Sequence, residues 1–290
     1  MDNGLWIIFT GIVVSTMGAL LGSFLVLRRM AMIGDAISHA VLPGLFIGYA
    51  ISGTRDNFAL LVGAAAFGLL TSILIQYLNK NIRLQSDASI GLVYTLLFSI
   101  GVVLISAYAG NSDFDADCVL FGEIAFIPLN KMDFLGMRIP VNFFQLVIGL
   151  ILIIAFVVIG FKGLKLTSFD PSYAATIGVS IAAWQYTLMG MVSFSTVLSF
   201  EAVGAILVIA FLTIPPATAY LLTEKLKTML LLGVVFGATA SVGGYYLAFL
   251  TETSLSASMA VFAGLQFASV FAFTRLRSKI RLTNSLAVGQ

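Results

Sequence analysis

Two ionisable residues stand one helical turn apart in apolar surroundings: Asp35 and His39, within the stretch GDAISHAVLPG from Gly34 to Gly44. His39 is the chain's only histidine. Residues four apart on a helix project from the same face, with Cβ atoms roughly 5–6 Å apart, so a carboxylate and an imidazole can converge on one small cation. That donor pair suits Mn²⁺, Fe²⁺ or Zn²⁺ rather than Cu⁺, which demands sulfur. Only Met30 and Met32 of the ten methionines lie near the motif, and methionines in apolar helices are usually packing residues. The same pair could instead be a buried ion pair joining two helices. At the centre of a bilayer each group costs about 2.5–3.5 kcal/mol, which makes a metal-ion pathway the first reading to test.

The elements that must carry this pair are transmembrane. Hydrophobic residues make up 60% of the 290 and charged residues 10%, and the mean hydropathy is +1.06, outside the range of soluble domains. Apolar segments at 5–27, 31–52, 58–78, 91–109, 142–161, 176–193, 200–222, 229–250 and 259–273 predict nine spans, each near the roughly 20 residues that cross a bilayer. The second, carrying Asp35, Ser38 and His39, is the least hydrophobic. The first follows Asp2 rather than a basic region and is too long for a signal segment, so it reads as a retained span. With nine alternating spans, Arg28, Arg29, Lys80, Arg83, Lys162, Lys165, Lys225, Lys227, Arg275, Arg277, Lys279 and Arg281 fall on one side, and Arg55, Lys131 and Arg138 on the other. Such asymmetry places the N-terminus outside and the C-terminus in the cytoplasm.

Three connections and breaks stand out. Residues 110–140 form the longest external connection, an acidic loop with Asp113, Asp115, Asp117, Glu123 and Asp133, whose middle reads as an interfacial helix, a partial span or a solvated loop. On the cytoplasmic side, Asp170 before Pro171 is a helix-start signal, predicting a short surface helix that ends near Gly178, or else a plain connector. Within the seventh span, Pro215 and Pro216 remove two ladder donors, so a kink or helix break is expected there. Small residues from Gly237 to Gly244 in the eighth span allow close helix packing.

Several functions lack their parts. No G-x-x-x-x-G-K-[ST] run occurs, so any ATP-driven activity needs a partner. The single cysteine, Cys118, excludes an intrachain disulfide and a multi-thiolate site, and there is no H-E-x-x-H. Asp35 and Glu201 are formally available to an intramembrane aspartyl hydrolase, but nothing around them supports that pairing. Nucleic-acid binding has no basis in the scattered basic residues. The chain reads as a non-enzyme with no permanently bound cofactor.

GDAISHAVLPG, DPSYAATIG from Asp170 to Gly178, and EAVGAILVIAFLTIPPATAYLL from Glu201 to Leu222 together resemble the membrane permeases of bacterial ABC importers for manganese, zinc or iron. The similarity covers nearly the whole chain. It implies an all-α polytopic protein of the cytoplasmic membrane, with eight to nine transmembrane helices in one permease domain over 1–290. It also implies a second permease copy or paralogue, two cytoplasmic ATPase subunits that bind ATP, and an external metal-binding protein. The family's metal-path pair falls on Asp35 and His39, with Glu201 and Asp117 as further candidates. Its coupling helix, within a segment at about 163–178, falls on Asp170, Pro171, Tyr173, Ala174 and Gly178. Asp117, Phe121 and Gly122 match the branch that carries manganese, iron or zinc. The rivals are an ABC permease for a metal chelate, which needs a wide cavity, and an ion-coupled secondary transporter in which Asp35 and His39 relay protons.

Overall fold

A computed structural model describes residues 3–52, 57–81, 85–108, 124–129, 131–134 and 137–288, with a few side chains, Glu201 among them, left out of the description. Among the described residues, nine helices are long and apolar enough to cross a membrane. In chain order the helices are α1 (Asn3–Leu27), α2 (Ile33–Ala40), α3 (Leu42–Ser52), α4 (Asn57–Asn81) and α5 (Ser86–Tyr108). After a 3₁₀ turn (Ile124–Leu129) and an antiparallel hairpin of β1 (Lys131–Phe134) and β2 (Met137–Pro140), there follow α6 (Val141–Phe169) and α7 (Pro171–Thr176). The chain closes with α8 (Ile181–Val203), α9 (Ala205–Leu222), α10 (Leu226–Thr251) and α11 (Leu255–Val288). Helices α2 and α3 together make the second span. The hairpin pairs Lys131 with Pro140 and Phe134 with Met137. Four-residue strands carry too short an alternation to be read from sequence.

Helix α1 is the axis of the larger half of the molecule. It packs against α6, α8, α9 and α10, and Met17, Leu21, Phe24 and Leu25 on it are fully buried. Helices α3, α4 and α5 form a second group, and α2 lies between the two, touching α4, α5, α8 and α9. The second span has a mean hydropathy of only 1.2 yet is 67% buried, the highest buried share of the nine. Polar content and burial therefore coincide where Asp35 and His39 sit.

Of the kink or break expected at Pro215 and Pro216, no break occurs: α9 runs through both prolines to Leu222. The missing N–H groups would have bonded the carbonyls of Phe211 and Leu212, four residues earlier. Helix α1 covers those freed carbonyls with Gly18 and Gly22. A Cβ at Gly18 would lie 2.8 Å from the Phe211 oxygen, and one at Gly22 would collide with the Leu212 oxygen. A small-x-x-x-small pair lets two helices approach this closely, and Cα–H groups then face the carbonyls. The chain instead turns at Gly204, whose φ of 79° and ψ of 164° lie in a region open essentially only to glycine. Because α8 extends to Val203, Glu201 belongs to the end of the sixth span and not to the start of the seventh.

Gly22→Val should lower the thermal stability of the purified protein by about 1–3 kcal/mol, the usual cost of overpacking. Gly91→Ala, where a Cβ meets nothing within 4 Å, should leave it unchanged or slightly raised. Thermal unfolding in detergent checks both.

Candidate functional site

The aspartate and histidine of α2 share a face, as their spacing predicts: His39 Nε2 lies 3.4 Å from Asp35 Oδ1. Their side chains remain 37% and 29% exposed, respectively, while Ile33, Gly34, Ala36, Ile37, Ser38 and Ala40 are buried. The pair therefore lies along the one uncovered stripe of an otherwise enclosed eight-residue helix, continued by exposed Met32 a turn before Asp35. Pro43, the second residue of α3, cannot donate a backbone bond to the His39 carbonyl, and the two helical pieces meet at Val41.

Two aromatic side chains of α5 wall the imidazole, which sequence reading does not anticipate. The rings of Tyr94 and Phe98 lie 5.2 and 5.7 Å from the His39 ring, centroid to centroid. His39 Nδ1 is buried without a hydrogen-bond partner among the described residues, so packing holds the ring. Helix geometry also gives the depth of the site. Tyr94 and Phe98 lie eight and twelve residues from Ser86 at the start of α5, or about 12 and 18 Å along its axis. In a hydrocarbon core of roughly 30 Å the pair is close to mid-membrane. No group of three or more metal-capable side chains exists among the described residues, so this chain offers two ligands and no closed cage. The Glu201 side chain, Asp117, Phe121 and Gly122 lie outside the described residues.

At the basic end of the bundle, near Arg28, Arg29, Lys162 and Lys165, α7 forms where Asp170 and Pro171 predict it. The Asp170 Oδ1 accepts from the Tyr173 N–H at 2.9 Å, and Pro171 takes the first helical position. The helix ends at Thr176, after which Gly178 adopts φ 79° and the Val179 N–H returns to the Ala174 carbonyl at 2.9 Å. Only glycine takes that conformation cheaply. Tyr173 and Ile177 are more than half exposed, at 55% and 52%. Of the residues expected in the coupling helix, Ala174 is fully buried: the six-residue helix seats this small side chain against its own chain and offers the opposite side outward. The feet of α7 are held together by Trp184 of α8, whose indole a Cβ at Gly160 or Gly163 of α6 would overlap.

The sequence also hides Arg28. Its Nε donates to Ser168 Oγ at 2.9 Å and an Nη to Thr167 Oγ1 at 2.8 Å. Burial pulls this guanidinium below its ordinary pKa. Its place at the C-terminal turn of α6 sets the charge against that helix's negative pole.

The sequence matches the ABC 3 transport family over residues 2–274. This chain belongs to that family. It is 44% identical over 270 residues to the manganese transport system membrane protein MntD of Bacillus subtilis, covering 93% of this chain and 91% of MntD. Over 278 residues it is 40% identical to the zinc transport system membrane protein TroD of Treponema pallidum, covering 95% and 75% of the two chains. Among solved structures, PsaBC from Streptococcus pneumoniae in complex with Fab includes a chain with 34% identity and a TM-score of 0.75, covering 91% of this chain and 89% of that one. This ABC 3 family member thus has the fold and sequence of a multi-pass transport permease.

Asp170→Ala should remove the α7 cap and cost about 0.5–2 kcal/mol of local stability. Hydrogen exchange across 171–178 should rise while exchange in the spans stays unchanged, and Asp170→Asn, which keeps the acceptor, should behave like wild type.

Proposed function

We propose that this chain is the permease subunit of an ATP-driven importer for a divalent transition metal, manganese or zinc in the first place and iron by the chemistry of the same ligands. The observation that carries the reading is the Asp35–His39 pair: two hard-to-borderline donors, 3.4 Å apart and partly open, half-way through a bundle. Two ligands hold a metal weakly, and weak binding is what conduction needs, since an ion must leave as well as enter. A second permease, identical or paralogous, would bring its own carboxylate and imidazole to the uncovered stripe, giving four ligands around one ion. A proton relay would not need the open face, and a metal chelate would need a wide cavity that the Tyr94 and Phe98 rings oppose.

The remaining partners follow from the same reading. An external metal-binding protein delivers the ion. Two cytoplasmic ATPases dock on the exposed side of α7, around Tyr173 and Ile177, and supply the energy that this chain, lacking a phosphate loop, cannot. The basic end, with Arg28, Arg29, Lys162, Lys165, Lys225 and Lys227, faces the cytoplasm. The N-terminus of α1 then lies outside and the C-terminus inside, in the cytoplasmic membrane.

Asp35→Asn and His39→Ala should each abolish metal uptake by the assembled transporter while its subunits still copurify. Uptake of manganese and zinc into proteoliposomes measures this, and near wild-type rates in both variants would refute the metal path. Tyr173→Asp should release the ATPase in a pulldown without affecting the stability of the membrane domain, because Tyr173 is exposed.

A further inference from the structure

The five residues between α1 and α2, Arg28 to Met32, are tied to both flanks of α7. On one side the Arg28 guanidinium bonds Thr167 and Ser168, three and two residues before Asp170 begins the α7 segment. Proton accounting fixes these bonds: Thr167 Oγ1 donates to the Gly163 carbonyl and Ser168 Oγ to that of Leu164, so each hydroxyl can only accept from Arg28. On the other side, Met30 Sδ lies 3.7 Å from Gln185 Nε2 in the second turn of α8. The connector is itself a defined structure. Arg29 takes a left-handed φ of 57°, and the Met30 N–H returns to the Leu25 carbonyl at 2.9 Å, closing α1 in a Schellman-type cap. The Met30 carbonyl then accepts from the N–H of Ile33, the first residue of α2, at 3.1 Å. Asp35 follows two residues later.

We propose that Arg28 is a positioning residue, a strut through which displacement of α7 moves α2 and, with it, Asp35 and His39. The inference rests on the transport reading above. Its physical content is that a planar fork reaches two hydroxyls on successive residues at once, fixing direction as well as distance, which a lysine ammonium cannot do. The bonds lie in a half-buried site, where water competes for the charged donor less than it does on an open surface. No carboxylate pairs with Arg28 among the described residues, so its hold is on the end of α6 alone.

The test uses the assembled transporter, permease with ATPase and binding protein, in proteoliposomes, reading metal imported per ATP hydrolysed. Arg28→Met should keep basal ATP hydrolysis, lose its stimulation by metal-loaded binding protein, and lower the transport ratio more than tenfold. Arg28→Lys should fall between. Thr167→Val and Ser168→Ala, each removing one acceptor, should lower the ratio less than Arg28→Met and add nothing when combined with it, as expected for one shared interaction. A purely structural role would lower hydrolysis and uptake in parallel and leave the ratio unchanged. That result, or a wild-type ratio in Arg28→Met, overturns the strut. If Arg28→Met does not assemble, an unchanged ratio in Thr167→Val and Ser168→Ala overturns it equally. Asp35→Asn, run beside these, separates the two ideas: uptake lost there but coupled normally in Arg28→Met refutes only the strut, while normal uptake in Asp35→Asn refutes the transport reading.

Discussion

A carboxylate and an imidazole held half-way across a membrane set the terms for the rest of this molecule. Each is expensive in hydrocarbon, about 2.5–3.5 kcal/mol at the centre of a span, so the helix that carries them cannot face lipid. The chain meets this by enclosing α2 between α8 and α9 on one side and α4 and α5 on the other. One stripe stays open, and it is the stripe with the ionisable groups. Aromatic rings from α5 then fix the imidazole where no hydrogen bond does.

Enclosure depends on close backbone approach, since apolar side chains gain little by leaving lipid for one another. Glycines supply it. Gly18 and Gly22 of α1 admit the carbonyls of Phe211 and Leu212, and Gly44 and Gly48 of α3 lie against the backbone of Gly63 and Ala59 in α4. The first contact has a second effect: it covers the groups that the tandem prolines leave without donors. A backbone carbonyl in hydrocarbon needs a partner or a polar neighbour, and here another helix provides the neighbour.

Much of this was legible in the sequence, and what was not has a common cause. The spans follow from composition, the shared face of Asp35 and His39 from helical spacing, and the start of α7 from a cap followed by proline, all of them local rules. At Pro215 and Pro216 local rules see the lost donors but not the glycines of α1 beside the freed carbonyls, where the helix continues unbroken. The burial of Ala174 was not legible, because a small residue in a short helix reads the same whether it faces outward or sits against its own chain. Residues 194–199 fall between the apolar segments 176–193 and 200–222, yet they belong to α8, with Ser195, Thr196 and Ser199 buried. Arg28 counted only as a positive charge for orientation, since nothing nearby in sequence announces Thr167 and Ser168 about 140 residues away.

The distribution of these contacts also separates what is fixed from what is seated. Helix α1 is locked to α9 by backbone-to-backbone approach at Gly18 and Gly22, and α3 is locked to α4 in the same way at Gly44 and Gly48. Between them, α2 meets its neighbours through side chains: Gly34 abuts the Leu212 side chain, and the Ile37 side chain lies over Gly68. Its N-terminal end is a break at the left-handed Arg29, whereas Val41 keeps helical dihedrals and carries the chain into α3 before Pro43. Side chains repack at smaller cost than helices part, and breaks absorb changes in φ and ψ that a continuous helix resists. Within the second span, then, the eight residues bearing Asp35 and His39 are seated by side chains rather than by backbone contact, and the connector beside Arg28 is where a push from α7 would reach them.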